Sequence, residues 1–172
     1  MDNCNKDLIG GGMFPLENPG FQEVFTPEDV TNEHKDIAKA VEDFIKGEII
    51  SRGDEIEMLS NDLSRELMKK AGELGFLGID IPEKYGGMEL DKISSAIVSE
   101  KFGYGGGSFT ITEVNHTGIG TLPLSLFGTA DQKKKYLPGL SSGNLIGAFG
   151  LTESEAGSDA LNPLTTATLT ED

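Results

Sequence analysis

From Thr26 to Pro138 apolar residues return at helical spacing between capping signals, and the pattern then breaks at Ser141-Ser142-Gly143. That run constrains the fold most. A stripe with a 3.6-residue period is buried only by packing against another element, and successive stripes in one chain predict helix packed on helix. The first helical signal is Thr26-Pro27-Glu28-Asp29, with Thr at an N-cap, Pro at the first helical position and an acid three residues after the cap. Ile37, Val41, Phe44, Ile45 and Ile49 follow at helical spacing, and a second stripe, Leu63, Leu67, Ala71 and Leu74, spans about Asn61 to Leu74.

The stretch Gly75 to Gly87 interrupts with glycine pairs and Pro82, which reads as an ordered connection. Asp91 is placed to cap a third helix carrying Ile93, Ile97, Val98 and Phe102, which ends in Gly103-Tyr104-Gly105-Gly106-Gly107. From Ser108 to Phe127 the residues are mostly small or apolar, including Val114, Ile119, Leu122, Leu124 and Leu126, and predict a buried helix. Gly118 and Gly120 inside it cost about 1 kcal/mol each in an isolated helix, and are tolerated where neighbours approach closely. Thr129-Ala130-Asp131-Gln132 is a capping box for a short basic helix ending near Leu137-Pro138.

The carboxyl-terminal stretch has another character. Leu145-Ile146-Gly147-Ala148-Phe149-Gly150-Leu151 is a short apolar run between turn signals, and Thr165-Thr166-Ala167-Thr168-Leu169-Thr170 is alternating and β-branched. Both predict strands. Two strands alone have no sheet to bury an apolar face, so this end reads as the beginning of a β-domain and as a sticky edge. The expected organisation is a flexible leader over 1–25, a helical domain over 26–143, and the start of a β-domain over 144–172.

Composition narrows the function. Apolar residues make up 37%, and 14 Lys plus Arg stand against 29 Asp plus Glu, a net charge of −15. That charge repels nucleic acid and anionic membrane. No apolar run is long enough to span a bilayer, and the first residues carry no secretory or transit pattern. The single cysteine, Cys4, excludes an intrachain disulfide and fits a cytoplasmic protein.

Common catalytic signatures are absent: there is no phosphate loop, no His-Glu-x-x-His, no cysteine pair and no Gly-x-Ser-x-Gly. His34, among charges, reads as solvent-facing; His116, in an apolar helix, reads as a hydrogen-bonded core residue. The informative segment is Phe149-Gly150-Leu151-Thr152-Glu153-Ser154-Glu155-Ala156-Gly157-Ser158-Asp159. Small residues there let backbone N–H groups approach an anion or a planar ring. On residue types alone it is equally an ordinary turn.

The pattern Thr-Glu-x-x-x-Gly-Ser-Asp after an apolar strand resembles the flavin loop of acyl-CoA dehydrogenases. Three other segments are similar to that family in order and spacing: Glu66 to Gly78, Ile81 to Gly87, and Phe127 to Pro138. The resemblance covers roughly residues 25 to 172. It implies a mainly α fold, with the family's amino-terminal helical bundle followed by the first strands of a β-barrel-like middle domain. It also implies FAD, an acyl-CoA substrate dehydrogenated between its α and β carbons in fatty-acid or amino-acid catabolism, a homo-oligomer, and electron-transferring flavoprotein as partner.

By the same resemblance Phe149 borders flavin and acyl chain, the Leu151 N–H meets the isoalloxazine edge, and the Thr152 hydroxyl lies near N5. Gly157 and Ser158 form the turn beside the cofactor and the CoA arm, so Ser158 and Phe149 are also the expected substrate contacts. Glu153 and Asp159 are read as bracing the loop. The family's catalytic glutamate is expected beyond residue 172, so the chain alone is expected to be inactive. The alternative is a non-enzymatic helical binding module of the same ancestry. One departure stands out: Ser154-Glu155 occupies the place of the family's usual Pro-Gly. It makes the loop more flexible and adds a negative charge, which weakens an anionic cofactor by about 1 kcal/mol.

Overall fold

A computed structural model describes residues 25–58 and 61–169. The leader expected over 1–25 therefore lies almost wholly outside the described residues. The helices are α1 Asn32–Phe44, α2 Gly53–Glu57, α3 Asn61–Glu73, α4 Lys92–Phe102, α5 Gly107–Asn115, α6 Leu122–Phe127 and α7 Ala130–Ser141. The expectation of a mainly helical protein holds.

Boundaries follow local chemistry. The Thr26 box forms as read, but it closes only a 3₁₀ turn, Pro27–Asp29. The cap of α1 is Thr31, whose hydroxyl accepts the His34 N–H at 3.2 Å. Beyond α1 the chain stays helical through a π turn, Ile45–Ile49, and a 3₁₀ turn, Ile50–Arg52, into α2. The Asp91 carboxylate caps α4 by accepting the Ser94 N–H at 2.7 Å. The Thr129 box caps α7, which runs past Pro138 to Ser141 rather than stopping there. Proline removes one ladder bond, but the Pro138 carbonyl still accepts the Ser142 N–H at 3.2 Å.

The core sits where α1, its π turn, α3, α4 and α5 meet. Phe44, Phe76, Phe102 and Phe109 form one aromatic cluster with ring centroids 5.8–6.4 Å apart. Val41, Ile45, Ile49, Leu67 and Val98 pack around it. A smaller cluster of Ile81, Leu137 and Leu140 ties α7 to the connection after α3. That connection is ordered, as expected: Gly78 and Ile79 carbonyls accept the Met88 and Leu90 N–H groups, both at 2.9 Å. Phe76, Leu77, Ile79 and Ile81 are buried within it.

Three expectations are corrected. His34 is buried, not solvent-facing. Its Nε2 lies 3.2 Å from the Asp91 carboxylate and its Nδ1 accepts the Thr31 N–H at 3.3 Å, so the α4 cap covers it. Second, the helix expected over Ser108 to Phe127 is α5, a π turn His116–Thr121 and α6, and among its large apolar residues only Phe109 is buried. Glu113, His116, Thr121 and Ser125 face inward, while Ile111, Val114, Ile119, Leu126 and Phe127 are exposed.

Third, no strand forms over 145–151 or 165–169; both are irregular, and among the described residues no ladder pairs them. The physical reason is that a strand exists only with a partner strand. The main-chain groups of the first segment are met otherwise. The Leu145 N–H reaches the Gly139 carbonyl at 2.9 Å, and the Gly147 N–H reaches a ring nitrogen of His116 at 2.9 Å.

Candidate functional site

The loop that sequence singled out begins where the chain leaves α7. Gly143 makes the exit, with φ +72°, and a Cβ there would lie 2.6 Å from the Met68 carbonyl oxygen. Only glycine meets both conditions cheaply. The chain then crosses the π turn of the α5–α6 rod at Gly147, backbone against backbone. A Cβ on Gly120 would fall 2.6 Å from the Gly147 carbonyl carbon. The interior glycine of that helix is thus the close approach its sequence suggested.

Residues 149–159 turn back on themselves. The Glu153 N–H donates to the Ala156 carbonyl at 2.9 Å, and the Ala156 N–H returns to the Glu153 carbonyl at 3.3 Å. The Glu153 carboxylate accepts the N–H groups of Leu164 at 2.7 Å and Thr165 at 3.1 Å. The Thr165 hydroxyl first, and then those two N–H groups, hold its pKa below the usual carboxylate range. Asp159 accepts the side-chain amide of Asn162 at 2.7 Å. Both acids brace the loop, as their place in the motif suggested.

The expected ligand contacts stand around this brace, outside it. Phe149 is 57% exposed and Leu151 is exposed; Thr152, Gly157 and Ser158 are exposed too. Among the described residues no acceptor takes the Leu151 or Thr152 N–H, nor the Thr152 or Ser158 hydroxyl. A set of unspent donors beside an exposed aromatic, on a loop fixed from behind, fits a planar anionic cofactor. No group of three or more His, Cys, Asp or Glu that could hold a metal occurs among the described residues.

A second polar feature lies apart from the loop. A cavity of about 40 Å³ is lined by residues of the post-α3 connection, α4 and the α5–α6 rod, among them Asp80, Ser95, Glu113, Thr117 and Thr121. The Glu113 side chain is 1% exposed. One carboxylate oxygen accepts the Thr117 hydroxyl at 3.3 Å, while the other, with Ser95 Oγ and Thr121 Oγ1, has no partner among the described residues. Burial pushes the Glu113 carboxyl up to about 7 against the lowering effect of Thr117. Glu113 belongs to no motif in the sequence. The signal was there: it is the only charged residue between Ser108 and Phe127.

Known proteins resemble this chain along most of its length. The family model for the acyl-CoA dehydrogenase amino-terminal domain matches residues 31–144. A probable acyl-CoA dehydrogenase of Bacillus subtilis is 52% identical over 165 residues, 96% of this chain and 28% of the relative. The mouse mitochondrial long-chain specific acyl-CoA dehydrogenase is 34% identical over 84% of this chain and 32% of its own. Among solved structures, an acyl-CoA dehydrogenase from Bacillus anthracis, complexed with FAD, is 51% identical with a TM-score of 0.86. That match covers 90% of this chain and 26% of the other. The chain thus spans about a third or less of the length of these relatives.

Proposed function

The chain belongs to the acyl-CoA dehydrogenase family, and from that premise we propose that it is the amino-terminal part of an FAD-dependent enzyme that dehydrogenates an acyl-CoA thioester between its α and β carbons. The observation that carries the reading is the loop 149–158. Its donors are unspent, its back is braced by Glu153 and Asp159, and the chain is 51% identical, over 90% of its length, to a protein solved with FAD.

FAD, when bound, supplies the acceptor for the hydride. The chain's own residues bind and orient. The Leu151 N–H and the Thr152 hydroxyl are donors to the ring edge, where hydrogen bonds to a charge-bearing acceptor are worth most. Gly157 leaves room for close approach and Ser158 offers a hydroxyl to cofactor or CoA arm. Phe149 offers an apolar face to ring and acyl chain, and excludes water from that side. No residue of this chain is assigned as the catalytic base. Electron-transferring flavoprotein is the proposed electron acceptor, and a homo-oligomer the proposed assembly. No described helix is long and apolar enough to cross a membrane.

The test is a titration of the chain with FAD, followed by flavin fluorescence and the visible spectrum. Saturable binding is expected, weakened about tenfold by Thr152→Ala or Ser158→Ala, one charge-assisted hydrogen bond each. Absence of binding, or binding indifferent to both substitutions, overturns the assignment of the loop.

A further inference from the structure

We infer that His116 is a positioning residue: a neutral imidazole that clamps the start of the 149–158 loop onto the helical body, and lets go when protonated. The inference rests on the reading above for the purpose of the loop, not for the existence of the clamp.

The geometry is specific. His116 is fully buried in the π turn between α5 and α6. Its Nδ1 lies 2.9 Å from the Gly147 nitrogen, and its Nε2 lies 3.0 Å from the Leu140 carbonyl oxygen. A backbone N–H only donates and a carbonyl only accepts. Nδ1 must therefore carry the lone pair and Nε2 the proton, which fixes a single neutral tautomer. The two partners bracket the exit from α7: Leu140 belongs to its last turn, and Gly147 stands two residues before Phe149. One ring thus spans the turn that aims the loop.

The backbone supports the same assignment. Gly120 and Gly147 touch, with no room for a Cβ on Gly120 and only a tight 3.0 Å for one on Gly147, which seats the segment along the rod. The Gly147 N–H is the only main-chain donor between Ile146 and Thr152 with a partner among the described residues. Without His116 nothing polar holds that stretch. Its apolar side chains do not substitute, because Ile146, Phe149 and Leu151 are exposed.

Protonation reverses the Gly147 contact. An imidazolium presents a donor at Nδ1, facing the donor N–H, with no lone pair to receive it. Burial already lowers the His116 pKa, partly countered by the Leu140 carbonyl. The ionisable groups on the packed elements are Glu113, one turn earlier on the same rod, and Asp80, across the cavity. The segment from Leu137 to Leu151 carries none. Neither acid makes a hydrogen bond to the imidazole, so no counter-ion waits for the charge.

The experiment combines imidazole nitrogen NMR with hydrogen exchange of the Gly147 amide in the full chain, corrected for intrinsic rates, between about pH 4 and 7.5, a range that extends well below the ordinary histidine pKa because burial lowers it. The expected spectrum at the upper end is the Nε2–H tautomer. Exchange at the Gly147 amide is expected to quicken about tenfold on acidification, the loss of one buried hydrogen bond, with the core helices unchanged. His116→Gln keeps an acceptor and a donor without a charge, so protection should persist and its pH dependence vanish. His116→Phe should show the acid rate at every pH.

Equal protection in wild type and His116→Phe at the upper pH, a wild-type Gly147 amide indifferent to acid, or the opposite tautomer overturns the clamp. Adding FAD separates the two readings. If the chain binds no FAD while exchange follows His116, the cofactor reading falls and the clamp stands. If FAD binds and exchange ignores His116, the clamp falls alone.

Discussion

The helical body and the stretch after Gly143 obey the same chemistry and end in opposite states. In the body, apolar stripes find one another: Phe44, Phe76, Phe102 and Phe109 share a single cluster. After Gly143 a similar apolar content is left outside except at Ala156, with Leu161 93% and Leu169 99% exposed. A helix satisfies its own backbone and needs only a face to pack. An extended segment needs a neighbour for its backbone before its side chains matter. The α5–α6 rod stands between the two cases: Phe109 packs into the core, while Ile111, Val114, Ile119, Leu126 and Phe127 are exposed.

The contrast breaks most sharply by removing one large apolar side chain from each region. Phe102 is fully buried and touches three rings, so Phe102→Ala should cost about 3–5 kcal/mol through lost transfer energy and a residual cavity. Leu169→Ala should change stability by less than about 0.5 kcal/mol. Midpoints of urea unfolding, at constant slope, decide it. Comparable losses would mean that the last residues pack in solution.

A middle-sized effect sharpens the comparison inside the body, where one buried group works against the fold. Glu113 has its folded pKa raised to about 7 from 4.5. Between those values the native state holds a proton that the unfolded chain has released, so stability falls as pH rises through that window. Below about 4.5 the carboxyl costs nothing; above about 7 the full penalty stands, on the order of 3 kcal/mol. Glu113→Gln should therefore stabilise the protein at pH 8 by up to about that amount and change little near pH 4.5. A wild-type stability that rises steadily from pH 5 to 8, with the variant parallel to it, would refute the assignment.

The same contrast governs what was legible in the residues. Caps at Asp91 and Thr129 and the stripe from Asn61 onward translate directly, because helix signals act within a few residues. His116 as a bonded core histidine was legible for the same reason: a polar ring in an apolar helix must find partners. His34 was misjudged because its partner, Asp91, is 57 residues away, and no local pattern encodes that meeting. The α5–α6 rod failed similarly: a mostly apolar composition predicted burial, but composition does not say which face neighbouring elements cover. The strands were misread because β-branched alternation states a preference that only a neighbouring strand realises. In the loop, the motif identified the brace and the exposed donors, and the roles of those donors came from family resemblance, not from residue chemistry.

The smallest expected effect lies in the stretch after Gly143, and it tests whether that region has any structure of its own. Glu153 collects the Leu164 and Thr165 N–H groups across eleven and twelve residues, closing a loop that no apolar contact closes. Its pKa is lowered, so the contribution is present above the unfolded carboxylate range and is lost as pH falls through the lowered value. Glu153→Gln keeps the size and one acceptor but removes the charge that two donors share. Global unfolding should not register the change, since the core has no stake in it. Amide exchange at Leu164 and Thr165 should quicken severalfold in the variant at neutral pH, and in wild type only below the carboxylate range. If those amides exchange at free-peptide rates in the wild type at neutral pH, the brace does not persist in solution. The loop would then depend on the His116 clamp alone.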